Sequence, residues 1–413
     1  HVLAMFASNL TPSIIIAGAA GFAFGSADMV FLIQMAMLFA GVATLFQTIG
    51  FGPVGARLPV MQGTSFAFVP IMIGVVKSSG MAALMGSVIV AGIFHAILGS
   101  FIGRIRHWFP PLVSGMVITT IGLYLIPVGI RYAAGGAADF QINNPNWGDF
   151  SHWSLALVVI IVALGCKFFT RGLTSSAAVL IGLFAGYLVG IATGAVNFGS
   201  VGKAAWFAFP MPLKYGLEFN IAAIIGMCLI SIVSAIETVG DISAIAKGGA
   251  GRESTDKELA GGTYADGLGS ALAGVFGGLP NTSFSQNVGI VSMTGVMSRG
   301  VVTIGAIFLI ICGFIPKIGA VVSSMPIEVL GGGVILMFGM VVSAGVSMLS
   351  TVEWSRRNMM ILATSMSVGL GLQAVPKSMQ HLPDTLGMLM TSGLLPVAVL
   401  AVVMNLLLPA DAD

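Results

Sequence analysis

Apolar residues fill this chain in long blocks, and the charged residues fall between the blocks rather than within them. A helix needs about 20 apolar residues to cross the hydrocarbon core of a bilayer. On that measure the pattern predicts fourteen segments: 1–20, 30–50, 60–76, 81–102, 111–130, 154–169, 174–193, 220–240, 260–276, 281–297, 300–322, 327–350, 358–374 and 386–408. The longest stretches between them, 131–153, 194–219 and 241–259, leave no room for a soluble domain. The expectation is an all-α polytopic membrane protein whose main partner is the lipid bilayer.

Composition narrows the field further. Of 413 residues, 57% are hydrophobic and 8% charged, against about 25% charged in a soluble domain, which excludes a water-soluble enzyme. A net charge of +2 offers no surface for nucleic acid. Cys166, Cys228 and Cys312 lie in apolar runs and read as small hydrophobes. The chain opens on His1 inside an apolar segment, so a further stretch is expected upstream. With that stretch in the cytoplasm, Lys77, Arg131, Lys203, Lys214, Lys317 and Lys377 fall outside, and the rest of the 17 Lys and Arg residues, Arg106 among them, fall inside. That bias predicts that both termini are cytoplasmic, and the expected location is the plasma (bacterial inner) membrane.

The two halves share short stretches in the same order. Thr64-Ser65-Phe66 recurs as Thr282-Ser283-Phe284, 218 residues on. Pro110, Val113 and Gly115 recur as Pro326, Val329 and Gly331, and Phe101–Ile105 is echoed by Phe314–Ile318. Seven segments per copy is an odd number, so the second copy is expected upside down, a 7+7 inverted repeat of the kind secondary transporters use around a midplane site. Segments 3 and 10 are interrupted by polar residues at 61–68 and 279–287, with Pro59, Pro70 and Pro280 nearby. Each predicts a short extended piece followed by a half-helix whose free N–H groups face a ligand.

Acids within apolar segments are costly and point to function. Glu237 follows the run Ile230–Ile236, and Asp241 lies one turn further on the same helix face. Asp266 opens the small-residue stretch Gly267–Ala271, which suits close helix packing. Gln286 and Asn287 add neutral amides. A carboxylate facing an amide can read the edge of a heterocycle, with Phe66 and Phe284 stacked on its faces. His95 is expected to hydrogen-bond between helices, and His107, His152 and His381 read as loop or interfacial residues. No metal-ligand spacing or phosphate loop is present, so the expected cofactor is none.

The stretch Ser285–Gly295 resembles the signature of the nucleobase–ascorbate transporter family, [Q/E/P]-N-x-G-x-x-x-x-T-[R/K/G], at every fixed position. Gln62–Phe66, Glu237–Asp241 and Ala265–Gly267 also look like that family's third, eighth and ninth spans. The resemblance implies core regions 1–103 and 220–325, gate regions 104–219 and 326–413, and a homodimer. It implies that Glu237 and Gln286 hydrogen-bond a purine base, with further contacts from around Phe66 and Ser285. Asn287, Asp266, Asp241, Thr294 at the fixed threonine, and His1 would serve support or coupling. The pairs Gln286-Asn287 and Glu237/Asp241 are similar to the xanthine and urate branch.

The expected activity is proton-coupled import of an oxidised purine, with Glu237 or Asp266 taking the proton. The rivals are a uracil-type symporter and an inorganic-anion transporter of the same fold.

Overall fold

Side chains beside the apolar blocks set where several helices begin. The structure, a computed structural model, describes residues 1–105, 108–136 and 142–409; Arg106 and His107 lie outside the described residues. Helices α1 (Val2–Ala19) and α2 (Ala27–Thr48) lead to strand β1 (Gln62–Thr64) and the long α3 (Val69–Gly99). Then come α4 (Pro111–Ala133), α5 (Phe150–Phe169) and α6 (Ala178–Ala192). The second half runs α7 (Ile221–Ala250), α8 (Asp256–Val275), β2 (Asn281–Ser283), α9 (Ser285–Thr294), α10 (Arg299–Gly313) and α11 (Pro316–Ser323). It closes with α12 (Ile327–Leu349), α13 (Arg356–Ala374), α14 (Asp384–Thr391) and α15 (Leu394–Leu407). Ser26, Asn220 and Ser355 accept from the first-turn amides of α2, α7 and α13. Thr255 and Glu258 form a reciprocal capping box at the start of α8.

Every predicted segment overlaps helix. Among the described residues, seven helices (α1 to α5, α7 and α12) are long and apolar enough to cross a bilayer singly. The pair α10–α11, bent by 82°, makes an eighth. The other segments are shorter, broken or more polar. Segments 60–76 and 81–102 share α3, which Gly80 divides: its φ of 81° leaves the helical region, a backbone state that glycine adopts without a Cβ clash.

Large apolar side chains cover the outside as well as filling the interior, and several polar ones are buried. Ile304, Phe308 and Ile311 form an exposed stripe on α10, and Phe168 and Phe169 are exposed on α5. Asn9, Gln47, Gln62, Asp266 and Asn287 are buried. An apolar outer surface together with buried polar groups is the pattern expected in lipid.

Helices α4 and α12, α3 and α8, and α2 and α10 pack against each other along their lengths. Glycine allows the closest contacts. A Cβ on Gly267 would lie 2.2 Å from the Ala96 nitrogen, and one on Gly92 would lie 2.4 Å from the Ala271 nitrogen, so α3 and α8 meet backbone to backbone. Gly331, Gly332 and Gly333 likewise admit Ala133, Ala156 and Leu183 against α12, so the glycine run serves packing. Gly267→Val forces these helices apart, at a cost of about 1–3 kcal/mol or more. Size-exclusion of the variant in mild detergent is expected to show loss of the monodisperse peak; a wild-type profile would contradict this packing.

Candidate functional site

The two broken segments meet as an antiparallel pair. Gln62 faces Ser283, Gly63 faces Thr282, and Thr64 faces Asn281. The pairing continues with Ser65 N donating to Pro280 O at 2.8 Å and Phe284 N to Met61 O at 2.9 Å. Side chains from three helices satisfy further backbone groups of the strands. Asn9 Oδ1 accepts from Thr64 N at 2.8 Å, Thr44 Oγ1 accepts from Gln62 N at 2.9 Å, and Ser270 Oγ accepts from Asn281 N at 2.9 Å. Half-helices follow both strands, and the residues preceding them, Phe68 and Phe284, give no side-chain cap. The expected extended piece and half-helix are both present.

Around this pair the acids divide by their partners. Asp266, fully buried, accepts from Gln62 Nε2 at 2.5 Å and Gln47 Nε2 at 2.8 Å on one oxygen, and from the Thr238 hydroxyl on the other. Asp241 accepts from Ser283 Oγ at 2.6 Å and Ser285 Oγ at 2.7 Å. Glu237, one turn before Asp241 on α7, has no hydrogen-bond partner among the described residues. It lines a cleft between α7 and α4 whose other walls are Phe109, Ser114, Val117, Ile118, Ile121, Val233 and Ile236. Gln286, beside Ser285 at the start of α9, is also half-buried and without a partner among the described residues. Helices α7 and α9 are in contact, and Asp241 joins them through Ser285. A half-buried acid and a half-buried amide thus stand on touching helices with their hydrogen-bonding capacity unused.

The remaining expected residues take varied places. Asn287 is buried beside His1, its Nδ2 donating to His1 O at 3.2 Å and lying 3.0 Å from His1 Nδ1. Phe66 is half-buried and meets the Phe338 ring of α12 edge-on at 5.2 Å. Phe284 is 4% exposed in a cluster with Met5 and Met61, pressed against Gly63, where a Cβ would lie 2.4 Å from its ring. Its surroundings are those of a packing residue. Thr294 is not gathered with the acids: it bonds Ile290 O and Val296 N at the far end of α9.

The histidines bring one correction. His95 is buried, but among the described residues it does not hydrogen-bond between helices as expected, and its Nε2 has no partner there. His152, in the first turn of α5, lies 2.6 Å from Glu328 of α12. Among the described residues no group of three His, Cys, Asp or Glu is placed to hold a metal ion.

Sequence reasoning missed Gln47, Thr238, Asn9 and Ser283, and gave Gln62 no role. Gln47 and Asn9 carried a usable signal, since an uncharged polar group inside an apolar run must find a buried partner.

A buried polar knot on two broken segments, wrapped in helices with apolar outer faces, suits a membrane-embedded protein with a polar interior. The model of the permease family (Xan_ur_permease) matches residues 1–378, and the chain belongs to that family. The uric acid permease PucJ of Bacillus subtilis is 35% identical over 408 residues, covering 98% of this chain and 90% of that protein. The xanthine permease of the same bacterium is 35% identical over 410 residues, 98% of this chain and 91% of that protein. The solved transmembrane domain of the bicarbonate transporter BicA, from a cyanobacterium, aligns over 98% of this chain and 96% of that chain. The TM-score is 0.60 at 14% identity, a shared fold. The family resemblance drawn from the signature is borne out, and the protein is an integral membrane transporter.

The Asp241 bridge gives a test of local stability. A hydrogen bond to a charged group contributes about 1.5–3 kcal/mol. Ser283→Ala is therefore expected to lower the detergent-unfolding midpoint clearly, because it leaves a buried carboxylate oxygen without its donor. An unchanged midpoint would contradict the bridge.

Proposed function

We propose that this permease imports an oxidised purine, xanthine or urate, with a proton, by alternating access. The observation that carries the proposal is the unused pair, Glu237 and Gln286. Beside them Asp241 and Asp266 are held by protein donors, whereas these two keep acceptors and donors without a partner among the described residues on adjoining helices. An acceptor-only carboxylate beside an amide complements a ring edge that alternates N–H and C=O groups. The relatives' names point to the same cargo. Phe66, half-buried and edge-on to Phe338, would face the ring, and the uncapped start of α9 at Ser285 offers backbone N–H groups. Asn287 supports α9 with His1 behind it.

The coupling proton belongs on Asp266. Its partners are all protein groups, so a proton there does not compete with cargo for Glu237. Symport requires both passengers to be held at once. Asp241, held by two serine hydroxyls, keeps α7 and α9 together.

Contacts between elements support the fourteen-span, seven-plus-seven reading. Exchanging each predicted segment for its counterpart seven places along maps the α3–α8 contact onto α10–α2, and α4–α12 onto itself. The 218-residue offset maps the Gln62/Ser283 pair onto Ser65/Pro280, which is also hydrogen-bonded. In this reading regions 1–103 and 220–325 move against 104–219 and 326–413. The protein is a homodimer in the bacterial inner membrane with both ends cytoplasmic. The inorganic-anion alternative is disfavoured because such cargo has no ring N–H groups to donate to the Glu237 carboxylate.

Vesicles with an imposed pH gradient test the reading. Wild-type protein should accumulate radiolabelled xanthine or urate, and Glu237→Gln should lose uptake roughly a hundredfold, as for a charged hydrogen bond to cargo. Uptake retained by Glu237→Gln, or flux of chloride or sulfate in its place, would contradict the proposal. Gln286→Glu should shift competition towards uracil, and an unchanged competition panel of xanthine, urate and uracil would count against readout by the amide.

A further inference from the structure

Gln62 combines two features that sit uneasily together. Its Nε2 makes a 2.5 Å hydrogen bond to Asp266 Oδ1, while its Oε1 is buried with no partner among the described residues. A buried acceptor left unpaired costs free energy, and Gln62 is fully buried on β1, where a polar side chain was not required by the backbone pairing. The neighbouring amide shows the contrast. Gln47 Nε2 donates to the same Asp266 oxygen and to Gly262 O, but its Oε1 already accepts from Ala56 N at 3.1 Å. Gln47 is fully committed at both ends, and Gln62 at one end only.

We propose that Gln62 is a positioning residue for the coupling proton, which serves both states of Asp266 by turning its amide over. The inference rests on the reading of Asp266 as the proton site. With Asp266 ionised, Nε2 of Gln62 donates to it, as in the structure. When a proton from external water binds Oδ1, that oxygen becomes an O–H donor and no longer suits two amide donors. A half-turn of the Gln62 amide plane exchanges Nε2 for Oε1, so the new O–H donates to Gln62 Oε1, and Nε2 moves to the position where no partner stands among the described residues. Gln47 Nε2 still donates to the remaining lone pair of Oδ1, and Thr238 keeps Oδ2. On release the proton passes to cytoplasmic water and the amide turns back.

Among the described residues no Lys, Arg or His forms an ion pair with Asp266. The charged groups that act on it are Asp241 and, within the same cluster, Glu237, both on α7. The Gln62 amide and the Thr238 hydroxyl are the neighbours that can turn to answer a change of charge there. Through β1 the turn also reaches the cargo side: Gln62 pairs with Ser283, whose hydroxyl holds Asp241, whose other oxygen holds Ser285 next to Gln286.

The test separates coupling from folding by comparing two modes of transport in proteoliposomes. Accumulation driven by a pH gradient needs the proton cycle; equilibrium exchange of labelled for unlabelled xanthine needs only cargo binding and domain movement. Gln62→Met, similar in size but without donor or acceptor, is expected to lose gradient-driven accumulation roughly tenfold while exchange stays within about threefold. Equal loss of both modes, or of neither, overturns the inference. Should Gln62→Met not fold, Gln62→Asn, whose amide falls short of Asp266, replaces it under the same criteria. Infrared difference spectra of the wild type between acid and neutral pH give a second readout: a protonated-carboxyl band should appear together with a change in a glutamine side-chain amide band removed by labelling or substituting Gln62. A carboxyl band without that amide change overturns the inference. If wild-type accumulation ignores the gradient while xanthine still binds, proton coupling itself fails and the inference fails with it. A gradient-driven wild type with an equally gradient-driven Gln62→Met sinks the inference alone.

Discussion

Two extended pieces of backbone sit buried inside a membrane protein, and their N–H and C=O groups must be satisfied without water. The rest of the site depends on that constraint. Each strand covers one edge of the other, and Asn9, Thr44 and Ser270 reach in to the groups left over. These residues belong to α1, α2 and α8, so the helices are drawn to the ribbon by its unmet hydrogen bonds. Once they are there, Gln47 on α2 and Asp266 on α8 stand beside Gln62 on β1, and the buried acid finds its donors. Backbone necessity thus assembles the side chains that carry charge.

The same accounting separates structure from function. Where a polar group is held at full capacity, as in the Asp241–serine bridge, its first duty is to keep elements in place. Where capacity is left over, as at Glu237 in its cleft and at Gln286 on the helix that touches α7, something outside the chain can use it. Phe284 shows why type alone misleads: an aromatic residue in a repeat-matched position is consumed by packing on Gly63, whereas Phe66 at the equivalent place in the other half reaches Phe338 across to α12.

Much of this was legible in the sequence because lipid imposes a blunt pattern. Apolar blocks bounded by charges marked the helices, and the polar interruptions at 61–68 and 279–287 marked the broken segments. The acids were visible as exceptions to an apolar rule. Less visible was who would hold them. Gln47 and Thr238 are remote from Asp266 in sequence, and no local periodicity announces a contact made through tertiary packing. His95 ran the other way: its mid-segment position suggested an interhelical bond, yet its Nε2 is unpaired. Helix continuity was also hidden, since Gly80 kinks α3 without ending it in any compositional sense.

The most direct measurement is an experimental structure of the permease with xanthine or urate bound. The account predicts the base in the space shared by α7 and α9, with ring N–H or C=O groups within hydrogen-bond distance, about 3 Å, of both the Glu237 carboxylate and the Gln286 amide. A base bound elsewhere, with Glu237 and Gln286 both untouched, would contradict it.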